Sequence, residues 1–294
     1  MTDRRNPPRP GAWQDGFWWS NDGLRLHYRD YAGRADRPAI LCLAGLTRNA
    51  RDFEGVAARL AGEWRVIVPE MRGRGESGYA RDPMSYVPLT YLQDLAALFA
   101  ELALDRVAVF GTSLGGILAM LLAATEGDRV AGALLNDVGP ELSPAGIARI
   151  RGYVGRQLWH PTWMHAARAL AEANEDVYPD YGIAEWLAMA KRLYRLNSAG
   201  RILLDYDMKI AEPFRVPGNE AGPDMWRALD GLRGKPVALI RGECSDILSA
   251  AVAERMAGAL PEAELVTVPN TGHAPTLEEP EAAAAIDRLL ARLA

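Results

Sequence analysis

Ser113 lies in the run VFGTSLGGIL, residues 109–118, with Gly111 two positions before it and Gly115 two after. Apolar residues fill most of the rest, so one hydroxyl and several missing side chains need a reason. A serine hydroxyl becomes a nucleophile only when a base takes its proton and a carboxylate orients that base. The residues before it, Arg106–Phe110, read as a buried strand, and Leu114–Thr125 reads as a helix. A strand-to-helix turn that sharp strains the serine backbone and leaves no room for neighbouring side chains, which glycine supplies. The helix N-terminus then aims its unpaired N–H groups at the same spot. A Gly-rich turn with a helix-capping serine is the plainer alternative, and the pentapeptide G-x-S-x-G alone is weak; its place between strand and helix sharpens it.

Four histidines could supply the base. His27 falls on an early strand, where a half-exposed structural role is expected, and His160 and His165 fall in the helical lid region, where a solvated or packed helix face is expected ahead of a place near substrate. His273, in VPNTGHAPTLEEP, follows the last strand in a Gly/Pro loop and is the expected base, because loops at the carboxyl edge of a parallel sheet meet there. Asp246, in LIRGECSDILS after the penultimate strand, is the expected orienting acid, since its strand is taken to adjoin the one delivering His273. Asp137, in LLNDVGP, is the alternative acid. Either aspartate could instead cap its own loop. Backbone N–H groups of Leu114 and of Leu46, in LCLAGLTRNARDF with Gly45 permitting a tight turn, are the expected oxyanion donors.

The elements that must position these groups follow from alternation of short aliphatic runs with longer amphipathic ones, the mark of a mostly parallel sheet flanked by helices. Strands are expected at 17–20, 24–31, 39–43, 65–68, 106–110, 130–136, 236–241 and 264–268, and helices at 53–61, 90–102, 114–125, 250–259 and 280–293. Their continuous hydrophobicity fits strands buried on both faces. Between about 139 and 234 the rhythm breaks into Trp-, Tyr-, Arg- and Ala-rich helical segments with no convincing strand. The division expected is a flexible, proline-punctuated arm at 1–16, an α/β core at 17–138 and 235–294, and a helical cap at 139–234. Trp159, Trp163 and Tyr206 of the cap are candidate substrate contacts, although aromatics at helical spacing more often form core.

Composition narrows the function classes. The 294 residues are 49% hydrophobic and 24% charged with net charge -5, so no basic face for nucleic acid is expected. Two cysteines far apart in sequence, Cys42 and Cys244, make a disulfide framework improbable and a cytoplasmic location the expectation. The N-terminal arm has positive charge but no apolar core of a secretory signal, and the longest apolar stretch, Val107–Ala124, is broken by Gly and Ser, so no membrane association is expected. There is no His/Cys cluster with ligand spacing and no G-x-G-x-x-G after the first strand, so neither metal nor organic cofactor is expected.

In the order Ser113, Asp246, His273, and with GTSLGG, GECSD and TGHAP, the chain resembles the α/β-hydrolase fold family from about residue 20 to the end. PEMRGRGESG at 69–78 is similar to that family's D-x-R-G-x-G-x-S turn, with Glu70 for the usual aspartate, and the resemblance implies scaffold roles for Arg72 and Ser77. Relatives usually carry His-Gly before the oxyanion residue, where this chain has Ala44-Gly45. The resemblance implies a serine hydrolase with a helical lid, acting on a carboxylic ester or lactone of a small to medium apolar molecule. Two alternatives share the residues: hydrolysis of a carbon–carbon bond in a ring-cleavage product, and a non-catalytic small-molecule receptor. Oligomeric state is not legible.

Overall fold

The computed structural model describes residues 12–216 and 223–294. The first half of the core runs β1 (Trp13–Trp19), β2 (Arg25–Tyr31), β3 (Ala39–Leu43), α1 (Glu54–Leu60), β4 (Val66–Glu70), α2 (Pro88–Glu101), β5 (Val107–Thr112), α3 (Leu114–Thr125) and β6 (Val130–Asn136). A middle segment follows with α4 (Pro144–Tyr153), β7 (Trp159–His160), α5 (Trp163–Asn174), α6 (Ile183–Leu193), β8 (Tyr194–Leu196) and β9 (Ile202–Leu204). The chain then returns through α7 (Met225–Asp230), β10 (Val237–Gly242), α8 (Ala250–Ala259), β11 (Ala263–Val268) and α9 (Pro280–Ala291).

Eight strands form one sheet in the order β1-β2-β4-β3-β5-β6-β10-β11. From β4 through β11 every pairing is parallel; β2 pairs antiparallel with both β1 and β4. Every residue of β3, β4 and β6 is buried, which explains their unbroken apolar runs. Side-chain alternation divides them between two layers. Leu41 and Leu43 point into a core shared with α2, α3, α7 and α8, whereas Ile40 and Cys42 point into one shared with α1 and α9. This is the mostly parallel α/β architecture expected of the alternating pattern.

Three local expectations are corrected. Residues 13–16 belong to β1, whose partner register runs from Trp13↔Tyr31 to Trp19↔Arg25, so they are strand and not flexible arm; residues 1–11 of that arm lie outside the described residues. The middle segment does contain strand, a small antiparallel sheet in the order β7-β9-β8. Its strands have two or three residues, too short to show a period of two. Finally, α7 packs on the core: Ala228, Leu229 and Leu232 are buried in the α2/α3 layer, and a Cβ on Gly231 would stand 2.6 Å from the Ala123 carbonyl carbon. α7, inside the range expected of the cap, thus packs with the helices of the main sheet.

The middle segment has a core of its own, made by Ala166, Leu170, Tyr178, Trp186, Met189 and Leu193 with their neighbours. Tyr178 stacks on Tyr181, and both meet the edge or face of Trp186. Arg51, just before α1, ties this unit to the sheet edge through the Arg192 carbonyl at 3.1 Å and Asp205 Oδ2 at 2.7 Å. Cys42 is buried, Cys244 is exposed, and both are free thiols. Among the described residues no helix is long and apolar enough to cross a membrane.

Candidate active site

Ser113 occupies the one-residue turn between β5 and α3 with φ 53° and ψ -116°. A left-handed φ on a non-glycine residue is strained, and such strain persists only where surrounding structure enforces it. Here the enforcement is steric. A Cβ on Gly111 would come within 2.3 Å of the Gly115 carbonyl oxygen, and one on Gly115 within 1.9 Å of the Leu43 carbonyl oxygen. Strand and helix can approach this closely only because both positions lack a side chain, and the Ser113 hydroxyl is left projecting from the sheet's carboxyl edge.

Two neighbouring strand ends complete a hydrogen-bonded line. His273, in the loop after β11, presents Nε2 to Ser113 Oγ at 3.0 Å and Nδ1 to Asp137 Oδ2 at 2.8 Å. Asp137 follows β6 directly, has a φ of 54°, and is fully buried. Its carboxylate accepts the Gly242 N–H at 2.9 Å and the Ser245 hydroxyl at 2.6 Å. Three donors therefore compensate the burial of this charge. The His273 loop is held on both sides. Asn136 Nδ2 donates to the Pro275 carbonyl at 2.8 Å, the Tyr178 hydroxyl of the cap donates to the Ala274 carbonyl at 2.9 Å, and the Gly272 N–H donates to the Val177 carbonyl.

The expectation that Asp246 orients His273 is thus overturned in geometry. Asp246 lies beyond the end of β10, where the loop turns it toward α4, and its carboxylate takes both Arg149 Nε at 2.5 Å and Nη2 at 2.8 Å. Hydrogen bonds from Arg149 hold its carboxyl below the usual aspartate range. The sheet order explains the exchange: β6 lies between β5 and β10, so the residue just past β6 faces the Ser113 turn.

The loop after β3 carries Gly45 and Leu46 along the other side of Ser113; a Cβ on Gly45 would stand 3.8 Å from Ser113 Cβ. Leu114 opens α3, so its N–H has no acceptor one turn back within the helix. In place of the histidine seen in the resembling pattern, Ala44 is small and buried, and the loop is held from elsewhere. Arg74, itself 1% exposed, donates both Nε (2.9 Å) and Nη2 (2.7 Å) to the Leu46 carbonyl. Its remaining nitrogen donates to the Arg72 carbonyl and the Tyr91 hydroxyl. Sequence reasoning had no role for Arg74; the signal available was its place inside the 69–78 turn.

That turn is scaffold. Arg72 is pinned between Asp94 and Asp22, and the Ser77 hydroxyl donates to the Glu70 carbonyl while accepting the His27 N–H. Glu70 bonds His27 Nδ1 at 2.9 Å and accepts the Ala50 and Glu76 amides. His27 is buried, not half-exposed, and its Nε2 is taken by Asp15 at 2.9 Å.

A cavity of about 110 Å³ opens onto Ser113 and His273. The three cap aromatics expected to line it do not. Trp159 lies half-exposed on β7 beneath Arg201, Trp163 packs against the cap core, and Tyr206 is buried with its hydroxyl accepting the Gly155 N–H. The cap contributes Ile150, Tyr153, Tyr178 and Arg192 instead, and the core contributes Arg48 and Asp52. The wall is therefore mixed and charged, not apolar, because the cap's Trp and Tyr rings are largely spent on its own core. His160 and His165 line a separate surface depression with Arg168 and Glu172.

A parallel sheet of this order, with a serine on a strained strand-to-helix elbow and helices on both faces, defines the class of the α/β hydrolases. The profile of the alpha/beta hydrolase family matches residues 40–286, and the chain belongs to that family. It is 33% identical over 263 residues to a 3-hydroxybutyrate-oligomer hydrolase of Cupriavidus necator, covering 87% of this chain and 89% of that protein. It is 26% identical to a 2-(acetamidomethylene)succinate hydrolase of Mesorhizobium japonicum, covering 80% and 81%. Among solved structures, an alpha/beta hydrolase from Novosphingobium aromaticivorans superposes with a TM-score of 0.92 at 60% identity, covering 95% of this chain and 98% of that one. The chain is a hydrolase, and the receptor alternative falls away.

Proposed function

We propose that this hydrolase cleaves carboxylic esters, open-chain or cyclic, through a covalent acyl-enzyme on Ser113. The observation that carries the proposal is the unbroken line Ser113 Oγ–His273 Nε2–His273 Nδ1–Asp137 Oδ2, with steps of 3.0 and 2.8 Å, ending at a cavity. His273 takes the Ser113 proton as the hydroxyl oxygen attacks the ester carbonyl carbon. Asp137 keeps the Nδ1–H tautomer and stabilises the imidazolium that forms. The N–H groups of Leu46 and Leu114 hold the developing oxyanion. The imidazolium gives its proton to the departing alcohol, and a water deprotonated by His273 then releases the acid. Asp246 has no part in the relay.

The named relatives act on a hydroxy-acid oligomer or on a succinate derivative, and the cavity is small and charged. The substrate class these features support is a short ester of a hydroxy acid. Treating the purified protein with a fluorophosphonate, mapping the adduct, and assaying short esters tests the proposal. The expected result is one adduct, on Ser113, with ester turnover lost in parallel. An unlabelled Ser113 in protein that still hydrolyses esters would overturn it.

A further inference from the structure

Arg48 stands in the cavity with no task in the relay just described. Its Cγ and the Ser113 Cβ flank the same point above Gly45, at 3.2 and 3.8 Å from where a Cβ would be built, so its stem lies beside the nucleophile. Its guanidinium is locked in place: Nε donates to Asp52 Oδ2 at 2.6 Å and Nη2 to Oδ1 at 2.8 Å. That bidentate pair uses one edge of a planar, five-donor group. The third nitrogen, Nη1, has no acceptor among the described residues, and Arg48 is 27% exposed in the cavity lining. Burial alone would weaken the charge, but Asp52 outweighs it and raises the pKa, so Arg48 stays a cation. Arg192, the other arginine of the lining, bonds Glu278 through Nη2, whereas it is the Arg48 stem that stands against Gly45 beside Ser113.

A cation pinned against rotation in the lining of a reaction cavity, with one nitrogen outside its ion pair, suits an oxygen of the ligand. We infer that Arg48 selects esters carrying a free carboxylate a few bonds from the scissile carbonyl, with Nη1 binding that carboxylate while Asp52 holds the guanidinium plane. This deepens the ester-hydrolase proposal and rests on it. The spacer is short because the Arg48 stem and the nucleophile share one wall; a carboxylate two or three carbons from the ester oxygen suits that placement, and a longer spacer would carry the charge past. Asp52 belongs to the same device. It costs part of the attraction for an anion, and in return the guanidinium needs no ordering when the ester arrives.

The test compares 3-acetoxybutyrate with its methyl ester, which matches it in shape and lacks the charge, by acetate release at pH 7. Wild-type protein is expected to favour the free acid at least tenfold in kcat/KM. In Arg48→Met the acid-to-ester ratio falls at least tenfold, mainly through a higher KM for the acid, and Arg48→Lys recovers part of it. Because Arg48→Met leaves the Asp52 charge unpaired and can misfold, the double variant Arg48→Met/Asp52→Asn is measured beside it, with fluorophosphonate labelling of Ser113 as the check on an intact nucleophile. A ratio near one in wild type, or one unchanged in labelled variants, overturns the inference while sparing the hydrolase proposal. Release of acetate from neither compound, with Ser113 unlabelled, overturns both.

Discussion

Two aspartates leave the same sheet edge on adjacent strands and end in opposite circumstances. Asp137 follows β6 without a spacer, is fully buried, and gathers an amide, a hydroxyl and an imidazole. Asp246 lies beyond β10 in a longer loop, is 36% exposed, and spends both oxygens on Arg149. The contrast teaches that proximity in chain order to His273 counts for less than lateral position in the sheet. It also teaches that an aspartate fully matched by an arginine has little left to offer an imidazole. The loop after β10 does contribute, but through Gly242 and Ser245, which donate to the Asp137 carboxylate.

Perturbations can sharpen this contrast. The largest effect is expected from Ser113→Ala, which removes the group the Asp137 line serves; kcat should fall by about 10⁴-fold or more, read on a short ester. A lesion on the far side of the serine comes next. Arg74→Met frees the Leu46 carbonyl from its two donors, and kcat should fall by roughly 10²-fold, the scale of one displaced oxyanion donor, with KM little changed. Arg74→Lys, able to restore one of those bonds, should recover part of the loss. Ser245→Ala deletes one donor to Asp137 and should lower kcat by about tenfold, the worth of one hydrogen bond to a charged group. Asp246→Asn should change kcat by less than about threefold, since it breaks only a half-exposed ion pair.

The Asp246–Arg149 pair also answers to pH. Arg149 lowers the Asp246 pKa below its ordinary 3.8, so the stability this pair contributes is present above that value and is lost as pH falls through the lowered one. The melting-temperature difference between wild type and Asp246→Asn should therefore be small at pH 6 and vanish in strong acid. A difference that grows on acidification would contradict the assignment of Asp246 to Arg149.

Much of this was legible in the residues. Gly111, Ser113 and Gly115 between a buried strand and a helix announced the elbow because only glycine tolerates the 1.9 and 2.3 Å approaches there. The approach of His273 to Ser113 follows from its place after the last strand. Asp137 was harder to separate from Asp246 because sequence records the order of strands along the chain, not their order across the sheet, where β6 stands between β5 and β10. An aspartate abutting the end of the strand beside the nucleophile was the signal that deserved more weight. The cap was least legible. Its strands are two or three residues long, and its aromatic rings, which suggested an apolar pocket, instead build Tyr178–Tyr181–Trp186 packing inside the cap. Arg48, in the cavity lining, carries no motif, and Arg74, although inside the 69–78 turn, acquires its meaning only from the Leu46 carbonyl it holds.

The central claim is that Asp137, and not Asp246, sets the reactivity of Ser113 through His273. Its most direct test is the second-order rate of fluorophosphonate addition to Ser113 in wild type, Asp137→Asn and Asp246→Asn, followed by intact mass. The asparagine at 137 keeps the shape but leaves an imidazole in the wrong tautomer, so labelling should slow by roughly 10²-fold or more, while Asp246→Asn labels at close to the wild-type rate. Slow labelling in Asp246→Asn with Asp137→Asn unaffected would contradict the account.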